Sequence, residues 1–171
     1  LMDQPEGNTL ANPYDPSGSQ PHLPWRGRIT LSVAPGVAGS PDGTAAADVE
    51  VNAFFGSAKA SDFQFQAVNT YFDGGGTPPS SLVQYTGTQE WSLSRFILHY
   101  ASLCAVAGGV ESFCIGSEFR GLTQIRGAEN RFAVVEKLRE LAAEVRTILG
   151  PDTKISYAAD WTEYFGYQPQ D

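Results

Sequence analysis

The chain has 171 residues, 42% of them hydrophobic, which is enough for one globular core and too few for two ordinary domains. Its formal net charge is −8, so the summed field repels phosphate backbones and argues against a nucleic-acid partner. The sequence has no run of eighteen apolar residues and no basic-then-apolar leader, so neither a membrane span nor a signal peptide is predicted. Aromatic residues make up 12% and charged residues 18%, a balance that suits a surface stacking on sugar rings.

Residues 1–24 repeat turn chemistry, with five prolines and several Gly, Asn, Asp and Ser, and show no periodic pattern. This composition predicts a long loop. Tyr14, Leu23 and Trp25 give it apolar anchors, so we expect an ordered loop lying over the body of the protein.

Two further elements are predicted in the first half of the chain. Residues 45–56 form a short helix that ends at Gly56, with either Asp42 or Thr44 as its N-cap. Residues 61–71 alternate apolar and polar side chains, the pattern of a half-buried strand. The region 1–85 is therefore predicted to be rich in loops.

The spacing of apolar residues becomes regular after residue 85. Apolar residues recur at intervals of three and four over residues 93–107, which predicts a helix. Thr86 and Gln89 stand at capping-box spacing before it, and Gly108 and Gly109 follow it.

A second strand–helix–strand run completes the chain. Residues 110–117 are a compact apolar segment and are predicted to be a buried strand. A helical stripe over residues 132–149 follows and is stopped by Gly150 and Pro151. Residues 154–159 are then a short strand. Helices of this length between short strands predict parallel neighbours in an α/β fold.

The parallel arrangement points to a ligand site. In parallel sheets and barrels, ligands bind beyond the carboxyl ends of the strands. Glu118 directly follows the first of these strands, and Asp160 with Trp161 follows the second. Three polar or aromatic groups are therefore expected on one face.

Glu118 can act as an acid at that position. Burial beside Phe119 would raise the pKa of its carboxyl, which suits it to protonate a leaving group, as glycoside hydrolysis requires together with a second carboxylate. The alternative is that Glu118 caps the next loop or pairs with Arg120 or Arg126.

Asp160 and Trp161 have similar alternatives. Asp160 can cap the residues that follow it, and Trp161 can belong to the core. The functional interpretation is that the indole covers the C–H face of a sugar ring.

The cysteines and histidines give no sign of a metal or cofactor. Cys104 and Cys114 fall on apolar segments outside any metal-site spacing, so both are predicted to be buried and reduced. His99 lies within the first predicted helix, and His22 has no partner spaced for a metal.

Four segments carry a family resemblance: LMDQPEGNTLANPY, LPWRGRIT, FILHYASLCAVAGGVESFCIGSEFRGLTQIR and KISYAADWTEYFG. Together they resemble the TIM-barrel-like domain of the large distal tail protein of gene transfer agents and related phage tails, over essentially the whole chain. That domain is similar to retaining glycoside hydrolases of the large (β/α)8 clan, in which an acid/base glutamate ends strand four and a nucleophile ends strand seven.

The resemblance implies roles for the strand-end residues. Residues 113–117 would be strand four, with Glu118 as the catalytic acid/base. Asp160 and Trp161, after strand five, would bind substrate. Asp3, at the end of strand three, would join them as a further substrate-binding residue, and no metal is implied.

The resemblance also exposes departures. The strand that should bear the nucleophile is absent from the chain, and Glu163 lies on the wrong loop to replace it. Ser117 stands where that clan usually has Asn. The expected fold is therefore an incomplete TIM barrel, about strands three to five with long inserted loops. In it, residues 1–171 form one domain with a core in 86–171, and its open edges would favour self-association.

Two functions remain open at this stage. The first is part of a glycoside hydrolase-like domain of a tail protein that acts on or binds cell-surface or cell-wall polysaccharide through a retaining mechanism, the chain alone being inactive. The second is a structural or glycan-adhesion module of the tail tip without turnover. Either implies other tail proteins as partners and a virion-like particle tail, assembled in the bacterial cytoplasm and extracellular after release.

Overall fold

A computed structural model of the chain describes residues 5–23, 25–65 and 82–164. The chain divides into two compact units. The first unit comprises Leu1–Val51, Gly116–Glu136 and Ala158–Asp171, and the second comprises Asn52–Ile115 and Lys137–Tyr157.

The proline-rich amino-terminal segment contains a small hairpin. Strand β1 (Ala11–Asn12) pairs with β2 (Asp15–Ser19) in antiparallel fashion. The turn between them is closed by the Asn12 carboxamide oxygen, which accepts a hydrogen bond from the amide of Tyr14 at 3.1 Å. The prediction that Leu23 is an apolar anchor of this segment was wrong, since this residue is 64% exposed.

Helix α1 (Ala45–Phe55) occupies the predicted position. The Thr44 hydroxyl accepts a hydrogen bond from the amide two residues on, at 3.2 Å, so Thr44 rather than Asp42 caps the helix. The Asp42 carboxylate instead accepts the amide of Arg126 at 2.7 Å. Gly56 ends the helix in the left-handed conformation, with φ +75°, as glycine allows without a Cβ clash.

A short antiparallel pair follows. Strand β3 (Phe63–Phe65) pairs with β4 (Val83–Tyr85). The strand predicted over residues 61–71 is confirmed for β3, while its part beyond residue 65 lies outside the described residues.

Helix α2 (Leu93–Val106) confirms the first strong helical pattern. Its N-cap is Ser92, whose hydroxyl accepts the amide three residues on at 3.2 Å. The capping role given to Thr86 and Gln89 was therefore wrong, because the helix begins several residues after them. Gly108 follows the helix with φ +99°, as the glycine pair predicted.

The carboxyl-terminal half carries the predicted strand–helix–strand run. Its elements are strand β5 (Ser112–Ser117), the single-turn helix α3 (Arg120–Thr123), helix α4 (Ala133–Leu149) and strand β6 (Lys154–Ala158). The amide of Lys154 donates to the carbonyl of Glu111, and the amide of Glu118 donates to the carbonyl of Ala158, both at 2.9 Å. Since both partners advance together along the chain, β5 and β6 are parallel.

The described strands form three two-stranded sheets and no closed barrel. The structure is thus a mixture of helix and strand with one parallel pair, β5–β6. No helix among the described residues has the length and apolar character needed to cross a membrane.

Each unit buries its own apolar residues. In the first unit these are Leu31, Ala34, Ala47, Val51, Phe119, Leu122, Ile125, Ala133 and Val134. In the second they are Phe55, Ala58, Ala60, Phe63, Val83, Leu98, Ala101, Val106, Ile115, Leu138, Leu141 and Val145.

Neither cysteine forms a disulfide within the described part of the chain, but the prediction that both are buried was wrong. Cys104 is half-buried and Cys114 is exposed. Alternate side chains of a strand point to opposite faces, so Cys114 lies on the face of β5 opposite the buried Ile115.

Val134 and Val135 provide a matched test of the core of the first unit. Val134 is fully buried, and its neighbour Val135 is 40% exposed on the same helix. Val134→Ala should lower the free energy of unfolding by about 2 kcal/mol, because it removes buried methyl groups and leaves a cavity. Val135→Ala should change it by less than about 0.5 kcal/mol. Urea unfolding followed by circular dichroism measures both, and equal losses would contradict this core.

Candidate functional site

Glu118 stands at the point where β5 and β6 end together. Its amide donates to the carbonyl of Ala158, which joins the carboxyl ends of the two strands. Its φ is +53°, a left-handed conformation that costs a non-glycine residue about 1 kcal/mol or more. Such conformations cluster at functional sites, where surrounding contacts hold them in place.

The Glu118 carboxylate is held by two residues from the proline-rich segment. Its Oε2 accepts a hydrogen bond from Arg26 Nη2 at 2.5 Å and another from Trp25 Nε1 at 3.2 Å. The same arginine donates through Nε to the carbonyl of Ser117 at 3.0 Å. Arg26 therefore forms hydrogen bonds both to the last residue of β5 and to the acid that follows it.

The partner of this acid differs from both sequence alternatives. The ion pair is made with Arg26 and not with Arg120 or Arg126. The 3₁₀-helix Arg26–Arg28 supplies this arginine from more than ninety residues away in the chain.

Close packing fixes the indole that contacts Glu118. A Cβ on Gly27 would lie 2.4 Å from the ring of Trp25, and a Cβ on Gly121 would lie 2.5 Å from the carbonyl oxygen of Ile29. Both distances are far below van der Waals contact. The two glycines thus let the indole and the loop backbone approach the site closely.

Asp160 acts as a cap. Its Oδ1 accepts the hydroxyl and the amide of Thr162, and its own amide donates to Oε2 of Glu163 at 2.6 Å. These contacts close a capping box on the 3₁₀-helix Trp161–Glu163, as the structural alternative predicted. The hydrogen bonds from the hydroxyl and amide of Thr162 lower the pKa of Asp160 below its usual value.

Glu163 and Trp161, which follow Asp160 in the chain, differ in their contacts: Glu163 is hydrogen-bonded and Trp161 is exposed. The remaining oxygen of Glu163 accepts the hydroxyl of Thr123 at 2.8 Å, which ties α3 to the short helix. Trp161 is 72% exposed, so the alternative that it belongs to the core was wrong. Asp3, the third predicted substrate-binding residue, lies outside the described residues.

A groove of about 200 Å³ lies next to Glu118 in the first unit. It is lined by Asn12, Pro13, Tyr14, Gln20, Pro21, Trp25, Arg28, Ile29 and Thr30. Trp25 connects the groove with Glu118, since it lines the groove and its Nε1 donates a hydrogen bond to Glu118. From the sequence, Trp25 and Tyr14 are predicted only as apolar anchors of the amino-terminal loop.

The three acids at this edge differ in how many of their oxygens accept a hydrogen bond. Glu118 Oε1 has no hydrogen-bond partner among the described residues, whereas both oxygens of Glu163 and Oδ1 of Asp160 accept backbone or hydroxyl donors. Within the described part of the chain, no group of three or more His, Cys, Asp or Glu side chains is placed to hold a metal ion.

Comparison with known proteins adds one family. Residues 91–171 match the family described as the GTA TIM-barrel-like domain, where GTA denotes gene transfer agents. The match includes Glu118, Asp160 and Trp161, and it supports a TIM-barrel-like domain of GTA-type proteins in this part of the chain. No curated protein matches the chain.

The cap at Asp160 predicts a pH dependence. A lowered pKa means that the carboxylate stabilises the fold above the pKa of the unfolded chain, and this contribution is lost as the pH falls through the folded value. Thr162→Val removes the hydroxyl donor and keeps the amide, so the pKa of Asp160 should rise towards its usual value.

Carbon-13 NMR titration of the Asp160 carboxyl measures the change. Thr147→Val is the matched control, since that hydroxyl donates to the carbonyl of Ala143 on α4, away from Asp160 in the sequence. An unchanged Asp160 titration in Thr162→Val would contradict the cap.

Proposed function

We propose that this chain supplies a glycan-contacting, glycoside hydrolase-like site to a component of a phage-like particle. The GTA-type TIM-barrel-like match supports the particle context. The observation that carries the proposal is Glu118, an acid at the carboxyl end of a parallel strand, held by Trp25 and Arg26 with one oxygen unoccupied.

Aromatic rings support a sugar as the ligand. Trp25 is 37% exposed and contacts Glu118, and Trp161 is 72% exposed beside the end of β6. An indole covers the apolar C–H face of a pyranose, while a carboxylate accepts hydrogen bonds from its hydroxyls. The proposed contacts are therefore Trp25 and Trp161 to the ring faces and Glu118 Oε1 to a hydroxyl or glycosidic oxygen.

The proposed chemistry in a complete site is retaining hydrolysis. Glu118 would protonate the leaving oxygen and then accept a proton from water, while a second carboxylate about 5 Å away would attack the sugar. Asp160 and Glu163 are engaged in capping, so neither is proposed as that nucleophile. We therefore expect this chain to bind glycan and to need a further carboxylate for turnover.

The alternative is a structural or adhesion module. The ion pair to Arg26 and the cap at Asp160 favour it, because they give both predicted site acids a role in holding the fold. In either case the proposed partners are envelope glycan and other tail proteins. Self-association is a further expectation, because β5 and β6 are a two-stranded parallel sheet, and parallel sheets are normally covered.

The two tryptophans test glycan contact. The chain is incubated with purified bacterial cell envelope and sedimented, and the bound fraction gives an apparent affinity. Trp25→Ala and Trp161→Ala should each weaken binding about tenfold, because aromatic anchors dominate such contacts. Trp91→Ala is the control, since Trp91 is 95% exposed in the second unit and should leave binding unchanged. If neither site variant weakens binding, the glycan-contacting proposal is wrong.

The variant Glu118→Gln distinguishes glycan binding from glycan cleavage. The amide can still accept hydrogen bonds from Arg26 and Trp25, but it cannot transfer a proton. The supernatant of the same incubation is assayed for new reducing ends. We expect none from the chain alone. Reducing ends that appear with the wild type and vanish in Glu118→Gln would instead show that the chain itself cleaves glycan.

A further inference from the structure

The groove beside Glu118 carries a charge opposite to that of the chain. The chain has a net charge of −8, yet the only charged side chain among the nine that line the groove is Arg28. A neutral sugar would need no cation there. A lone guanidinium in a polar and aromatic groove is suited to an anionic group of the ligand.

Arg28 is also free to bind such a group. Its guanidinium lies over the Tyr14 ring, 4.6 Å from the ring centroid, so a cation–π contact holds it beside one wall of the groove. No described carboxylate forms an ion pair with it, whereas Arg26 pairs with Glu118 and Arg131 pairs with Asp48 and Glu136.

A second arginine, Arg120, also acts on this groove through its charge. Burial raises the pKa of Tyr14, and the charges of Arg28 and Arg120 oppose that rise, so both arginines act on the Tyr14 hydroxyl. The charge of Arg120 also acts on Asp160, after the hydrogen bonds from Thr162. The charge of Arg120 therefore acts both on the groove residue Tyr14 and on the acid at the end of β6.

We propose that the groove binds a carboxylate-bearing sugar residue, such as a uronic acid, with its carboxylate on the guanidinium of Arg28 and its ring against Trp25. This inference rests on the proposed glycan-contacting function and names the class of its ligand: acidic polysaccharide. A planar guanidinium matches the two oxygens of a carboxylate, and the cation–π contact with Tyr14 restrains it before the sugar arrives.

The experiment compares two forms of one probe. Isothermal titration calorimetry at 0.15 M NaCl measures binding of a mannuronate oligosaccharide and of the same oligosaccharide with its carboxyls reduced to alcohols. The wild type should bind the acidic form about tenfold more tightly, the effect of one charge-assisted contact. Arg28→Gln should remove this preference, so that the two forms bind this variant with equal affinity. Arg28→Lys, which keeps the charge without the planar fork, should retain part of it.

Controls separate the possible failures. Arg139→Gln removes an exposed cation from α4 in the second unit and should keep the full preference. Equal binding of both forms by the wild type, with loss of both in Trp25→Ala, would overturn the acidic-sugar inference and leave glycan contact standing. A preference that survives in Arg28→Gln would also overturn it. Binding of neither form would contradict the acidic-sugar inference, while the sedimentation assay with cell envelope decides glycan contact separately.

Discussion

The hydrogen bond between the amide of Glu118 and the carbonyl of Ala158 is the contact on which the site depends. It joins the ends of two parallel strands, so the residues that follow each strand emerge at one edge. Without that register, Glu118 and the short helix beginning at Trp161 would belong to separate loops. The strand pair therefore brings the acid and the second strand-end segment to the same end of the sheet.

Parallel pairing places Glu118, but its chemistry depends on the proline-rich segment. Arg26 and Trp25 both donate to one carboxylate oxygen, and Arg26 also holds the carbonyl of Ser117. The acid is therefore fixed in position with its other oxygen unoccupied. A segment that resembles a simple surface loop thus supplies the immediate surroundings of the candidate site and the groove beside it.

Asp160 stabilises the local fold and also positions a residue of the candidate site. Its carboxylate caps the 3₁₀-helix, and the amide of Asp160 is in turn held by Glu163. The cap fixes the helix that carries Trp161, which leaves that indole 72% exposed. Asp160 thus holds the helix that presents the aromatic residue while its Oδ1 is occupied by the cap, which favours a positioning role for this acid.

The sequence by itself determined the local elements. Apolar spacing and flanking glycines located α1, α2, α4, β5 and β6 to within a few residues, because helix and strand periods are properties of neighbouring residues. They also placed Glu118 and Asp160 at strand ends. Only the tertiary structure decided which groups these acids contact. Arg26 lies 92 residues from Glu118, and no periodic pattern records a contact made by folding over that distance.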